Sequence, residues 1–325
     1  VTILDDSLIL APMAGVSTPA LRILIEEFGG CDLYFTEMIS SAALIQGGPY
    51  EASYIAADPD PDRLIHQLVG FEEASVVRAA EYLDGLPGFG VDFNMGCSAP
   101  DIVRAGGGVA WMRDADRARR LAAALRRAVK GKRLSVKLRV GFEDDYPGLL
   151  RFCRGLQEEG VDFITLHPRL KKEKFGRLAR WDYVGALKRD LSIPVVGNGD
   201  IRSFDDYREK KEEHRPDGIM VGRSAARAPW FFAFLRRRER EPHREMVVDL
   251  EETAGRFLDL LPRHQPADFL ESRAKRFFGY FCGNLLFGQG LFTRLNRAPG
   301  FSGVEKVVRE YFRERPEARW KTEKK

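Results

Sequence analysis

The stretch Asp92-Phe-Asn-Met-Gly-Cys97 sets a carboxamide, Asn94, and a thiol, Cys97, where an apolar strand candidate runs into a glycine-containing turn. Gly106-Gly-Gly108 follows a few residues on. A thiol with an ordinary pKa of about 8.5 is mostly protonated at neutral pH, so it can serve as a general acid without tuning. A carboxamide beside it can pair with the edge of a nucleobase. Read alone, Cys97 is equally a small buried hydrophobe, because free cysteine is among the most buried residue types.

Three further groups carry chemistry. In Ser135-Val-Lys-Leu-Arg139 the polar residues alternate with apolar ones, so Ser135, Lys137 and Arg139 share one face of a strand. A lysine on a strand covered by apolar helices points the other way and needs an anionic partner, either a carboxylate such as Glu37 or an anionic cofactor ring. His167-Pro-Arg169 ends another strand candidate; no second histidine stands at ligand spacing, which disfavours a metal. Gly197-Asn-Gly-Asp-Ile201 and Val221-Gly-Arg-Ser-Ala225 are glycine clusters that let backbone N–H groups approach phosphate oxygens, and Arg223 can add a bidentate contact.

These residues need a scaffold that brings distant segments together. Eight short apolar runs read as strands: 8–13, 33–38, 64–69, 91–95, 134–140, 163–167, 194–197 and 218–221. Between them lie segments with a period near 3.6, including 19–28, 74–83, 114–129, 149–159 and 183–191. Strands alternating with helices predict a parallel sheet of βαβ units. Eight such units predict an α/β fold of the (β/α)8 TIM-barrel type, in which the strand ends carrying Pro12, Met13, Gln67, Asn94, Cys97, Lys137, His167, Asn198 and Gly222 share one face. An open doubly wound sheet is the alternative, but Ala11-Pro-Met-Ala-Gly15 is not a G-x-G-x-x-G turn. The two glycine clusters follow strands seven and eight, where barrels often hold phosphate.

After Arg236 the pattern changes. A charge run ends at Pro242, and 246–261, 267–287 and 303–312 read as amphipathic helices with no further β pattern. The expected division is a barrel over 1–236 and a smaller all-helical domain over 245–325. Arg273, Lys275, Arg276, Arg294, Arg297, Lys306 and Arg309 lie there among Phe277, Phe278, Tyr280 and Phe281. They make either a core with a solvated charged face or a basic surface that tracks phosphates.

Taken together, the motifs resemble the dihydrouridine synthase family, flavin enzymes that reduce uridine in tRNA. The resemblance runs in order through Leu10-Ala-Pro-Met-Ala-Gly-Val16, the thiol turn, Ser135-Val-Lys-Leu-Arg-Val-Gly141, Leu166-His-Pro-Arg169, Val196-Gly-Asn-Gly-Asp-Ile201 and Met220-Val-Gly-Arg223. It implies FMN as cofactor, NADPH as reductant and tRNA as partner. It implies that Pro12 and Met13 pack near the flavin ring, that Gln67 bonds its pyrimidine edge, and that Lys137 and His167 line it. Asn198, Gly199, Asp200, Gly222 and Arg223 would hold the phosphate, Asn94 and Arg169 would meet the uracil, and Cys97 would donate the proton. Cys97 is followed by Ser98-Ala-Pro100, where the family typically has proline at once, and Asp101-Ile-Val103 stands where a Lys-Val pair is usual. A flavin barrel acting on a free pyrimidine or enoate, a synthase acting on rRNA, and an RNA-binding barrel without flavin are the alternatives.

The totals agree. The 325 residues suffice for a large domain and a smaller one, and the net charge of +4 is mild. Four scattered cysteines make no C-x-x-C pair, which argues against structural zinc or a disulfide framework and for a reducing cytosol. No signal peptide or membrane span is indicated, and a monomer is expected.

Overall fold

The computed structural model describes residues 4–173 and 176–323. Eight parallel strands, Ser7–Leu10 (β1), Tyr34–Ser40 (β2), Leu64–Val69 (β3), Gly90–Met95 (β4), Arg133–Gly141 (β5), Phe163–Leu170 (β6), Val195–Asn198 (β7) and Gly218–Val221 (β8), pair in sequence order, and β8 returns to β1. The last seam, between β1 and β2, is a single parallel bridge at Ile9 and Leu33 supported by the Leu10 N–H to Leu33 carbonyl bond of 2.9 Å. The result is the nearly closed (β/α)8 barrel that the alternation predicts.

Strand ends differ from the sequence reading where loops begin. β1 stops at Leu10, so Ala11–Met13 are loop, and β6 continues to Leu170, beyond His167. Pro12 offers no N–H to continue the ladder. Each strand is buried on both faces, as a parallel sheet under helices must be. On β4 the outward residues Val91, Phe93 and Met95 are fully covered, and so are the inward Asp92 and, nearly, Asn94.

The inside of the barrel has two zones. Ile9, Leu33, Phe35, Ile65, Phe163, Val196 and Met220 meet in one apolar cluster. Two residues further along the same strand faces the side chains turn polar: Gln67 after Ile65, Thr165 after Phe163, Asn198 after Val196. The apolar zone supplies the rigidity; the polar zone at the carboxyl ends supplies the chemistry.

By internal contacts the chain forms two compact units. One comprises the chain up to Pro12 with Asp32–Val221; the other comprises Met13–Cys31 with the chain from Gly222 onward. The second unit contains helices Leu250–His264, Ala267–Phe281, Gly288–Arg297 and Gly300–Glu314. Its core is aromatic: Phe257 stacks on Phe277 at 3.7 Å, and Phe277 stacks on Phe281 at 5.2 Å. The expectation of no further β structure is corrected here. Met246–Asp249 (β9) pairs antiparallel with Trp320–Glu323 (β10), so the helix expected from Met246 begins at Leu250. Asp249 caps that helix by accepting from the Glu252 N–H at 3.0 Å, which fixes the boundary.

Candidate active site

Cys97 lies in the turn after β4, and it alone among the four cysteines is not buried. Burial pushes the Cys282 thiol up to about 12 and the Cys153 thiol higher still, so both stay protonated and inert. The turn around Cys97 is built by its neighbours. Asn94 Oδ1 accepts from the backbone N–H of Gly96 at 3.1 Å and of Cys97 at 2.8 Å. The Cys97 carbonyl accepts from the Val109 N–H at 2.9 Å. Gly108, at φ +56°, lies against it: a Cβ there would sit 2.4 Å from the Cys97 carbonyl oxygen. The glycine triplet visible in the sequence is therefore the floor of the thiol turn.

Behind the turn runs a buried polar chain. Asn94 Nδ2 donates to Gln67 Oε1 at 2.9 Å, Gln67 Nε2 donates to Asp92 Oδ2 at 2.7 Å, and Ser135 Oγ donates to Asp92 Oδ1 at 2.6 Å. Gln67 and Asp92 are wholly shielded from solvent. Burial pushes the Asp92 carboxyl up to about 7, against the hydrogen bonds from Ser135 and Gln67 and the charge of Lys137. Sequence reasoning gave Asp92 no role. The signal was present, since Asp92 stands two residues before Asn94 and must share its inward face.

Lys137 is half-buried on β5, in register with Asn94 on one side and Thr165 on the other. Burial and the charge of Arg139 push its ammonium down to about 8, while Asp92 and Cys97 oppose the shift. The carboxylate whose field reaches Lys137 is Asp92, where the sequence pointed to Glu37. Thr165 Oγ1 is buried with no hydrogen-bond partner among the described residues.

On β6, Arg169 is fully buried and donates to His167 Nε2 from Nη1 at 2.8 Å. A guanidinium only donates, so Nε2 is an acceptor and the neutral ring carries its proton on Nδ1. Gly199, at φ +122°, makes room for this ring: a Cβ there would lie 3.0 Å from His167 Cδ2. Arg169 also donates to both oxygens of Asp200 and to the Arg177 carbonyl. Asp200 further accepts from the Ala179 N–H at 2.8 Å, and Arg169 helps hold its carboxyl below the usual range. The arrangement places Arg169 and Asp200 together as a clamp behind His167. Arg139 is also buried and donates to the Leu170 carbonyl at 3.1 Å.

The remaining candidates sit at strand ends as the barrel requires. Pro12 and Met13 follow β1, each half-buried, and Met13 is held in a turn through the Ser17 hydroxyl at 2.9 Å. Asn198 Nδ2 donates to the Met220 carbonyl at 2.8 Å, tying β7 to β8. Gly222 and Arg223 follow β8 directly and open the short helix Arg223–Arg227.

A family model described as dihydrouridine synthase matches residues 9–277. The chain belongs to the dihydrouridine synthase family. A "Probable tRNA-dihydrouridine synthase" of Aquifex aeolicus is 33% identical over 261 residues, 78% of each chain. One of Helicobacter pylori is 32% identical over 232 residues, 70% of each chain. One of Rickettsia conorii is 34% identical over 232 residues, covering 71% of this chain and 69% of its own. Among solved structures, a 2-naphthoyl-CoA reductase complex shares the fold at TM-score 0.52 and 11% identity, covering 71% of this chain and 49% of its own. A morphinone reductase variant does so at TM-score 0.50 and 11% identity, over 72% and 87% of the two chains. In this synthase the described residues hold no cluster of three or more ligating side chains suited to a metal ion. None of its described helices is long and apolar enough to cross a membrane.

Proposed function

We propose that this protein reduces the 5,6 double bond of uridine in tRNA, with FMN as cofactor, NADPH as reductant and Cys97 as the proton donor. The observation that carries the reading is the thiol turn: the one cysteine outside the core is fixed by Asn94 and Gly108 at the carboxyl end of β4. That is the face on which barrel enzymes do their chemistry.

The chain's own groups fit a flavin. The Lys137 ammonium and the Thr165 hydroxyl, which has no partner among the described residues, are donors suited to a ring with carbonyl and ring-nitrogen acceptors that becomes anionic on reduction, and His167 would line that ring. Lys137 costs free energy to keep charged where it is, and an anionic ring offsets that cost. Pro12 and Met13 would pack near the ring, and Gln67 would reach its pyrimidine edge with its remaining amide hydrogen. Asn198, Gly199, Gly222 and Arg223 would hold the phosphate. Asp200 is a committed anion that repels phosphate, so its part is to hold Arg169.

When bound, FMN supplies the hydride for C6 of uracil, drawn in turn from NADPH. Cys97 Sγ gives its proton to C5, so one hydride and one proton saturate the bond and the thiolate recovers a proton from water. Lys137 stabilises the negative charge that builds during transfer. Asn94 keeps one amide hydrogen for the uracil. Arg169 acts on the site through His167, which it orients, since its own guanidinium is enclosed. The uridine leaves its stack to enter the barrel mouth, as base-modifying enzymes require. Of the helical-unit cations, Arg276, Arg297, Lys306 and Arg309 are exposed and are assigned to tRNA phosphates.

Cys97→Ala tests the reading. It should keep bound flavin and NADPH oxidation but lose most dihydrouridine formation on unmodified tRNA in a single turnover, with free uridine inert in both proteins. Undiminished product from the variant overturns the acid role; turnover of free uridine overturns the substrate.

A further inference from the structure

We infer that Asp92 is a positioning residue that sets the polarity of the amide relay Gln67–Asn94 and, through it, the conformation of the Cys97 turn. Its bearing on catalysis rests on the reading of Cys97 as proton donor; the relay itself stands on geometry alone.

The direction of each hydrogen bond is forced from the backbone end, and the ionised carboxylate at the other end agrees with it. As a carboxylate Asp92 only accepts, so the Gln67 group 2.7 Å from it is the amide nitrogen. That leaves Gln67 Oε1 toward Asn94, so the Asn94 group 2.9 Å away is its nitrogen. Asn94 Oδ1 is then the atom turned toward Gly96 and Cys97, whose backbone N–H groups can only donate. The two fixed ends agree. Reversing any one amide would set donor against donor or acceptor against acceptor inside a region closed to solvent, and such a mismatch is costly where water cannot repair it.

Ser135 holds the other carboxylate oxygen at 2.6 Å, so Asp92 cannot swing away to relieve a mismatch. The charged neighbour that lowers the Asp92 pKa is Lys137, on β5. Three inward residues on three successive strands, Gln67, Asp92 and Ser135, are in direct register, which makes the chain a consequence of strand pairing.

The relay predicts a contrast that a merely space-filling role does not. Asp92→Leu fills similar space but leaves Gln67 Nε2 without an acceptor, so neither Gln67 nor Asn94 is held in one orientation. Amide exchange of Gly96 and Cys97 should speed up by about tenfold or more, the equivalent of losing one to two hydrogen bonds. Alkylation of Cys97 by iodoacetamide should change with it, and single-turnover tRNA reduction should fall. Asp92→Asn keeps the polarity: its Oδ1 accepts from Gln67 Nε2 while its Nδ2 donates to the Ser135 hydroxyl, which accepts as well as donates. In Asp92→Asn exchange at Gly96 and Cys97 should stay within about threefold of the parent. If Asp92→Leu does not fold, folding of Asp92→Asn is the same contrast. Unchanged exchange in Asp92→Leu, or an Asp92→Asn variant no better than Asp92→Leu in exchange or folding, overturns the proposal. Neither exchange nor alkylation requires uridine reduction, so a Cys97→Ala enzyme that still turns over would sink the proposed function and leave this relay intact.

Discussion

Arg169 Nη2 lies 2.7 and 2.6 Å from the two carboxylate oxygens of Asp200, while Nη1 donates to His167 at 2.8 Å. One buried guanidinium thus ties the end of β6 to the turn after β7 and decides which nitrogen of His167 carries the proton. The pair is a positioning device: both partners are enclosed, with side-chain exposures of 0% and 8%.

Breaking that pair from one side should be severe. Arg169→Met leaves Asp200 charged without its main donor, and removing one partner of a buried pair costs roughly 3–5 kcal/mol. Urea unfolding at neutral pH should show that loss, and Asp200→Asn added to the same background should recover part of it, because the unpaired charge is gone. The Asp200 carboxyl is held below its usual value in the fold, so its contribution is present at neutral pH and is lost as the solution is acidified. Equal stability of parent and Arg169→Met at pH 7 would contradict the clamp.

Gly108→Ala should damage the thiol turn without touching the thiol. The backbone there is left-handed, and the added carbon would lie 2.4 Å from the Cys97 carbonyl oxygen and 3.0 Å from its Cβ. The conformational cost alone is about 1–2 kcal/mol. The predicted outcome is a lower thermal midpoint together with a changed alkylation rate at Cys97. A stability loss with an unaltered thiol would mean that the turn tolerates displacement of its floor.

Exposed cations of the helical unit carry a separate prediction. Arg297 and Arg309 are exposed, and replacing each by Gln should weaken tRNA binding and flatten its salt dependence by about 0.7–0.9 in the log–log slope per lost phosphate contact. Arg273 should behave differently, because it is buried with its guanidinium over Phe269 at 5.1 Å. Its removal should lower stability. Lys275 and Arg294, tied to Glu271 at 2.6 Å and Glu314 at 2.9 Å, should contribute less to binding.

The barrel was legible because eight apolar runs alternate with helical periodicity, and parallel strands buried on both faces leave little freedom in how such a pattern folds. Cys97, Lys137 and His167 could be singled out because polar residues on or just after an apolar strand stand out against their neighbours. The pairing of Asp92 with Gln67 and of Arg169 with Asp200 was not legible, because each depends on a cross-strand partner 25 to 31 residues away in sequence. A residue type at a strand end indicates that it faces the barrel, but only register decides whether its polar atoms reach a ligand or another side chain. Phe277, Phe278 and Phe281 likewise turned inward as core while Tyr280 stayed half-buried, leaving only part of the surrounding charge on the surface. β9 and β10 were missed because each is four residues long and they pair across some 70 residues of helix.

Lys137→Met separates the cost of a residue from its use. Burial and Arg139 push the ammonium down to about 8 from 10.5, so the fold binds fewer protons than the unfolded chain between those values. Stability of the flavin-free protein should therefore rise as pH climbs from about 8 to 10.5, by an amount on the order of 1–3 kcal/mol, and the variant should lack that rise. The substitution also withdraws the charge that opposes the raising of Asp92, so the Asp92 titration should move above about 7. In the presence of flavin and tRNA the effect reverses in sign: with no cation to offset the charge that builds during transfer, single-turnover reduction should fall by roughly 100-fold. Unfolding midpoints across the pH range and single-turnover rates measure the two halves independently. A lysine retained only for stability would fail both, since its loss would destabilise the flavin-free protein at every pH and leave the chemical step unchanged.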